Sequence, residues 1–187
     1  LIGSLPFHNR KYVDNYFKKN EHMIADRIPF FNWQACHPPE MIDQYKYIFD
    51  SIKEKQLPIV MSVYDLEGAI FCSENGVSAL KIASSNITHL RLIRNVASLE
   101  LPMIIDTGHS TLSEISRAVE QVDSTNNTRL LLQHSPYPPP YPVSDQNIRA
   151  ILSLNSVFGT PVGLSDHHKG EEMLFAAIAL GAAAVEK

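Results

Sequence analysis

The sequence predicts an α/β fold with a parallel sheet, and three observations carry that reading. Short runs rich in β-branched residues recur at 57–63, 79–83, 101–106, 129–133, 161–164 and 183–185. Stretches of helical character lie between them. The runs are apolar throughout rather than alternating, which suits strands buried on both faces. Two architectures fit this rhythm, a doubly wound sheet and a (β/α)8 barrel. No G-x-G-x-x-G follows an early strand, which weighs against a dinucleotide-binding sheet. Six strand–helix units are visible in the sequence, where a barrel has eight.

The helices follow from spacing and caps. Residues 38–56 place Met41, Ile42, Tyr45, Ile48, Phe49 and Ile52 at the intervals of one helical face. Residues 110–124 open with a capping-box pattern, Ser110 or Thr111 followed by Glu114. Residues 144–159 begin with a Ser/Asp cap and stop at a glycine. Residues 170–182 carry acids in the first turn, where the helix dipole favours them, and also end at a glycine. Shorter helices are expected at about 66–76 and 89–98. Residues 1–37 read as a loop-rich, aromatic opening segment of a single domain spanning 1–187, in which Phe30, Phe31, Trp33 and Gln34 could shape a pocket.

Composition narrows the class of function. The chain has 187 residues, 44% of them hydrophobic and 19% charged, which is ordinary for a globular protein. A net charge of -4 gives no basic footprint for nucleic acid or an anionic membrane. No apolar run approaches the ~18 residues of a membrane span. The opening residues lack the pattern of a secretory signal. Cys36 and Cys72 are too few for a disulfide framework or a zinc knuckle. A cytoplasmic protein is the expectation. The N-x-T triplets at Asn86 and Asn126 are then read as chance.

Polar residues gather where the strands end. The first run leads into Ser62, Tyr64 and Asp65, and the second carries Lys81 and ends in Ser84, Ser85 and Asn86. The next ends in Asp106, Thr107, Gly108 and His109, and the one after in Gln133, His134, Ser135 and Tyr137. The fifth ends in Ser165, Asp166, His167 and His168, and the last in Glu186 and Lys187. In a barrel these carboxyl ends converge on the face where active sites are built. Helix capping alone accounts for many such residues, since Ser and Asp are good N-caps. Lys81 is the sharper signal, because a lysine inside an apolar strand is costly unless paired or solvated. Ser84 and Ser165 could hydrogen-bond an anion beside it. His167 is a candidate ligand for a divalent metal, although one histidine is not a site. Lys81 could also serve as a Schiff-base lysine if it were desolvated.

Taken jointly, three stretches carry a family resemblance: "LKIASSNITHLRLIRNVASLELPMIIDTGHSTLSEISRAVE", "PYPPP" and "PVGLSDHHKGEEMLFAAIALGAAAVEK". They resemble the N-acetylneuraminate (sialic acid) synthase family, which includes the pseudaminic and legionaminic acid synthases. The resemblance covers residues 79–187 and runs more faintly upstream. It implies a (β/α)8 TIM barrel. It implies condensation of phosphoenolpyruvate with an N-acetylated, mannose-type sugar, with release of phosphate. It implies a divalent metal, Mn2+ or Mg2+, and a homodimer when full length.

Carried position by position, the resemblance makes Lys81 the lysine that binds phosphoenolpyruvate. Ser84 and Ser165 match hydroxyls near its phosphate, and Ser62 matches a family threonine. Tyr137 and Ser135 match a C-T-S-x-Y-P motif, and His167 matches one metal-binding histidine. Two positions differ. Asn86 stands where the family has an acid tied to metal-bound water and the sugar, and asparagine cannot transfer protons as a carboxylate does. Asp106 stands where the family has a serine beside the phosphate, and a carboxylate there repels phosphate unless protonated or paired. The second metal histidine would fall one residue past Lys187. The first two barrel strands and the family's antifreeze-like domain are not expected within the chain. The alternative to an active synthase is a non-catalytic relative that binds a sugar or another anion.

Overall fold

The computed structural model describes residues 2–4, 39–136 and 142–187. Two compact units make up the chain, Leu1–Leu80 and Lys81–Lys187.

The first unit begins with a short strand, β1 (Ile2–Ser4), within the segment expected to be loop. It pairs in parallel with β2 (Val60–Val63), with Ser4 opposite Ser62. Helix α1 (Pro39–Glu54) buries Tyr45 and Phe49, one turn apart, while Ile48 stays exposed at the edge of the same face. The Phe49 ring lies 6.0 Å from that of Phe71 on helix α2 (Leu66–Glu74), which fixes how the two helices meet. Asp65 caps α2, its carboxylate accepting from the Gly68 N–H at 2.7 Å. Three of the four β2 residues, Met61, Ser62 and Val63, are buried, as expected of a strand covered on both faces. Strand β3 (Ala79–Ile82) crosses from one unit to the other.

The second unit continues the alternation. A 3-10 turn at Ser84–Asn86 leads to α3 (Leu90–Ala97), then β4 (Met103–Asp106) and α4 (Leu112–Asp123). Next come β5 (Leu130–His134), a second 3-10 turn at Val143–Gln146 and α5 (Ala150–Phe158). The unit ends with β6 (Val162–Ser165), α6 (Glu172–Ala179) and β7 (Val185–Glu186). Strands β4 to β7 pair in parallel in chain order. The register sets Asp106 opposite Gln133, and Ser165 opposite Glu186. All six expected strands are present, each within a residue or three of the expected ends.

The predicted capping box on α4 forms. Thr111 accepts from the Glu114 N–H, and the Glu114 carboxylate accepts from the Thr111 N–H at 2.8 Å. Its inner face buries Ile115, Ala118 and Val122. Helix α5 departs from expectation. It starts at Ala150 rather than near 144, after the 3-10 turn and a left-handed Asn147 at φ 42°. Ser144 and Asp145 therefore do not cap it. Gly159 ends it as expected, in the left-handed conformation that glycine adopts without strain.

Gly163 on β6 has a different reason to be glycine. A β-carbon there would meet the Ala184 carbonyl oxygen at 2.7 Å, so only a bare α-carbon lets β7 pair this closely.

Candidate active site: a buried lysine between two carboxylates

The second unit brings three charges together from three strands. Lys81 of β3 is 5% exposed, and its ammonium donates to the Glu186 carboxylate of β7 in a short contact. On its other side lies Asp106 of β4, with Oδ2 at 3.5 Å. The carboxylate side chains are 8% exposed for Asp106 and 21% for Glu186. One ammonium thus faces two carboxylates, and the cluster carries an excess negative charge when all three are ionised.

Asp106 is the group most affected by this arrangement. Burial pushes its carboxyl above the usual carboxylate range; Lys81 and the Gly108 N–H act in the opposite direction, and Glu186 adds to the rise. The Gly108 N–H donates to Asp106 Oδ1 at 3.0 Å, in a tight turn that holds the carboxyl in place. Gly108 is pressed against the next loop, with the Ser135 carbonyl oxygen 3.0 Å from where its β-carbon would be. The following residue, His109, adopts a left-handed backbone at φ 57°.

The remaining sequence-predicted positions fall in several places. Ser165 is 1% exposed, and its hydroxyl lies 3.5 Å from His167 Nε2. His167 itself is exposed, and Ser84 is half-buried at the start of its 3-10 turn. Asn86 is buried, and its side-chain NH2 has no hydrogen-bond partner among the described residues. Ser135 is half-buried and lines a cavity of about 570 Å³ with Thr107, His109, His134, Asp145 and Arg149. Lys81 is not part of that lining, so the cavity and the charged cluster are separate features. Ser62 lies in the first unit and is buried on β2. Tyr137, Phe30, Phe31, Trp33 and Gln34 fall outside the described residues.

Glu186 is the member of the cluster that sequence reasoning did not single out. Its signal was present: a charged residue ending the last strand, one strand over from Ser165. What the sequence could not supply was the pairing across 105 residues. A second polar group forms behind the "SDHHKG" loop. Asp166 is 2% exposed and accepts from the His168 N–H at 2.9 Å and from Lys187 Nζ at 2.6 Å. Gln146 Nε2 lies 2.6 Å from His168 Nε2, and the Gln146 carbonyl oxygen lies 2.9 Å from His134 Nε2. Asp166 and His168 thereby shape the loop that presents His167.

Among the described residues, no three histidines, cysteines or carboxylates are arranged to hold a metal ion. His167 alone does not fit a divalent ion, which needs several oxygen or nitrogen ligands.

Parallel strands alternating with helices, with charged and hydroxyl groups at the strand ends, define part of a (β/α)8 barrel of the kind that builds its site on that face. The chain belongs to the NeuB family, whose description matches residues 12–187. It is 35% identical to an N,N'-diacetyllegionaminic acid synthase of Legionella pneumophila, over 90% of this chain and 52% of that protein. Among solved structures it is similar to the N-acetylneuraminic acid synthetase of Leptospira borgpetersenii, crystallised with citrate. The TM-score is 0.74 at 30% identity, covering 78% of this chain and 51% of that one. The spore coat polysaccharide biosynthesis protein SpsE of Bacillus subtilis gives a TM-score of 0.73 at 32% identity, over 80% of this chain and 42% of that one. The chain thus spans about half the length of the curated relatives it matches, 52% for the Legionella synthase.

Proposed function

We propose that the full-length protein condenses phosphoenolpyruvate with an N-acetylated hexose of the N-acetylmannosamine type, giving a nonulosonic acid and inorganic phosphate. Family membership and the names of the relatives support a synthase of this class. The observation that carries the reading is Lys81, a buried ammonium on β3 in the position expected to bind phosphoenolpyruvate.

In this reaction the methylene carbon of the enol attacks the sugar aldehyde and forms the new carbon–carbon bond. Water adds to the other enol carbon, and the phosphate leaves with its bridging oxygen. Lys81 is the cation for the substrate's anionic groups, with Ser84 and Ser165 as hydroxyl donors. The resemblance adds Ser62, Ser135 and Tyr137 as phosphoenolpyruvate-binding positions, and Asn86 as the residue that orients the sugar without moving a proton. His167 would be one ligand of the Mn2+ or Mg2+ implied by the resemblance, and since the described residues show no group of three ligands, no step is routed through the ion. We place the protein in the cytoplasm, as a homodimer built on this single barrel domain; no helix of the described residues is long and apolar enough to cross a membrane.

A second reading has its own support. Asp106 and Glu186 already satisfy Lys81, and Asn86 replaces the family's acid, as expected of a non-catalytic relative that binds a sugar or anion. The Schiff-base reading loses ground for the same reason. A lysine engaged by two carboxylates is unlike the isolated, desolvated amine that attacks carbonyls. Incubation with isotopically labelled phosphoenolpyruvate and N-acetylmannosamine, followed by mass spectrometry, tests the proposal. A labelled nine- or higher-carbon sugar acid supports it. Unchanged substrates with every acetamido sugar tried, in a folded protein, leave the non-catalytic reading.

A further inference from the structure

The phosphoenolpyruvate reading leaves a charge conflict at Lys81, and this inference rests on that reading. The lysine has two anionic neighbours before any substrate arrives. Glu186 holds it in the shorter contact, and Asp106 lies at 3.5 Å. A phosphate or carboxylate approaching Lys81 would meet one buried and one half-buried carboxylate where charge is screened less than in water. Glu186 is the more exposed of the two and keeps the stronger bond to Lys81. Asp106 is the more buried and the more loosely held by Lys81, and burial raises its carboxyl above the ordinary carboxylate range.

We propose that Asp106 is a specificity-determining residue of the anion site, and that an anion engages Lys81 only when the Asp106 carboxyl carries a proton. The proton comes from solvent, and no covalent bond forms or breaks in the step. Without substrate, the ionised carboxylate acts as a built-in counter-anion for Lys81. With substrate, the neutral carboxyl no longer repels the incoming anion. The charged groups acting on Asp106 are Lys81 from β3 and Glu186 from β7. From β5 its register partner is Gln133, which does not titrate. On its own loop the Gly108 N–H is a fixed donor.

The test is calorimetric titration of the full-length protein with phosphoenolpyruvate alone, so that no turnover follows. Runs span roughly pH 5.5 to 8.5, in buffers of different ionisation enthalpy, which reports the protons taken up on binding. Wild type is compared with Asp106→Asn, and with Asp106→Ser as a second variant should the first fold poorly. Phosphoenolpyruvate's own phosphate titrates in all three proteins, so the difference between proteins is the readout. The expected result is an affinity that falls up to about tenfold per pH unit more steeply in wild type than in either variant. Wild type also takes up about one extra proton per ligand bound. Binding by all proteins with the same affinity, pH slope and proton uptake overturns the role of Asp106 and leaves the phosphoenolpyruvate site standing. No binding by folded protein at any pH, wild type or variant, overturns the phosphoenolpyruvate site and this inference together.

Discussion

Lys81 illustrates what one residue reveals in isolation and what it does not. A lysine inside the apolar run of β3 had to be paired or solvated, so its burial was legible from the sequence. Its partners were not, because Asp106 and Glu186 come from other strands and the second lies 105 residues away. Removing the cation leaves a buried and a half-buried carboxylate without their counter-charge. Lys81→Met therefore destabilises the protein by about 3–5 kcal/mol, and adding Glu186→Gln recovers part of the loss. Urea unfolding of the single and double variants measures both, and an unchanged midpoint for Lys81→Met would contradict the buried cluster. Asp106 gives a prediction with a sign. Its carboxyl is raised above the ordinary range, so the folded state holds that proton more tightly than the unfolded chain. Its contribution is fully present below the unfolded carboxylate range and is lost as pH rises through the folded value. Wild type therefore loses stability relative to Asp106→Asn as pH rises above the ordinary carboxylate range. Urea midpoints of the two proteins, followed upward from the ordinary carboxylate range, would shift steadily in favour of Asp106→Asn; a constant difference would contradict the raised carboxyl.

At the scale of elements, the strands were the most legible features. They are short, apolar throughout and punctuated by polar residues, and the structure finds every expected one. The α4 capping box was equally readable because its signal is local, Thr111 and Glu114 three positions apart. The start of α5 was not. Ser144 and Asp145 look like a cap, but the chain turns there in a 3-10 segment and passes through a left-handed Asn147 before the helix begins. A long-range contact stabilises that turn: the Gln146 carbonyl oxygen is 2.9 Å from His134 Nε2, and no local pattern encodes it. Strand β1 was missed because three residues within a long aromatic segment carry no periodicity of their own. The β6–β7 pair shows the opposite case, in which one small residue decides the geometry. Gly163→Ala drives a methyl group into the Ala184 carbonyl, costing roughly 1–3 kcal/mol and loosening β7, which carries Glu186. Thermal unfolding and amide exchange of the 183–187 segment report both effects, and an unaltered exchange pattern would contradict the close approach.

For the whole molecule, the family was legible from joined motifs although no single motif was specific. The strand-end inventory held Lys81, Asp106, Ser165 and Glu186, from β3, β4, β6 and β7, and parallel strands carry such residues toward one edge of the sheet. The departures at Asn86 and Asp106 were equally visible, but their meaning depended on the fold. Asn86 is buried with an unsatisfied amide among the described residues, and Asp106 is bound into the lysine cluster. Both positions are therefore built into the interior. The chain spans about half of its curated relatives, 52% of the Legionella synthase, so a test of activity calls for the full-length protein.

The most direct test of the central claim is phosphate release from phosphoenolpyruvate by that full-length protein, with and without N-acetylmannosamine and related acetamido sugars, with Mn2+ or Mg2+ supplied. The expected result is release that depends on the sugar. No release with any sugar, from protein shown to be folded, would contradict it and leave a barrel that has kept the family's architecture without its reaction.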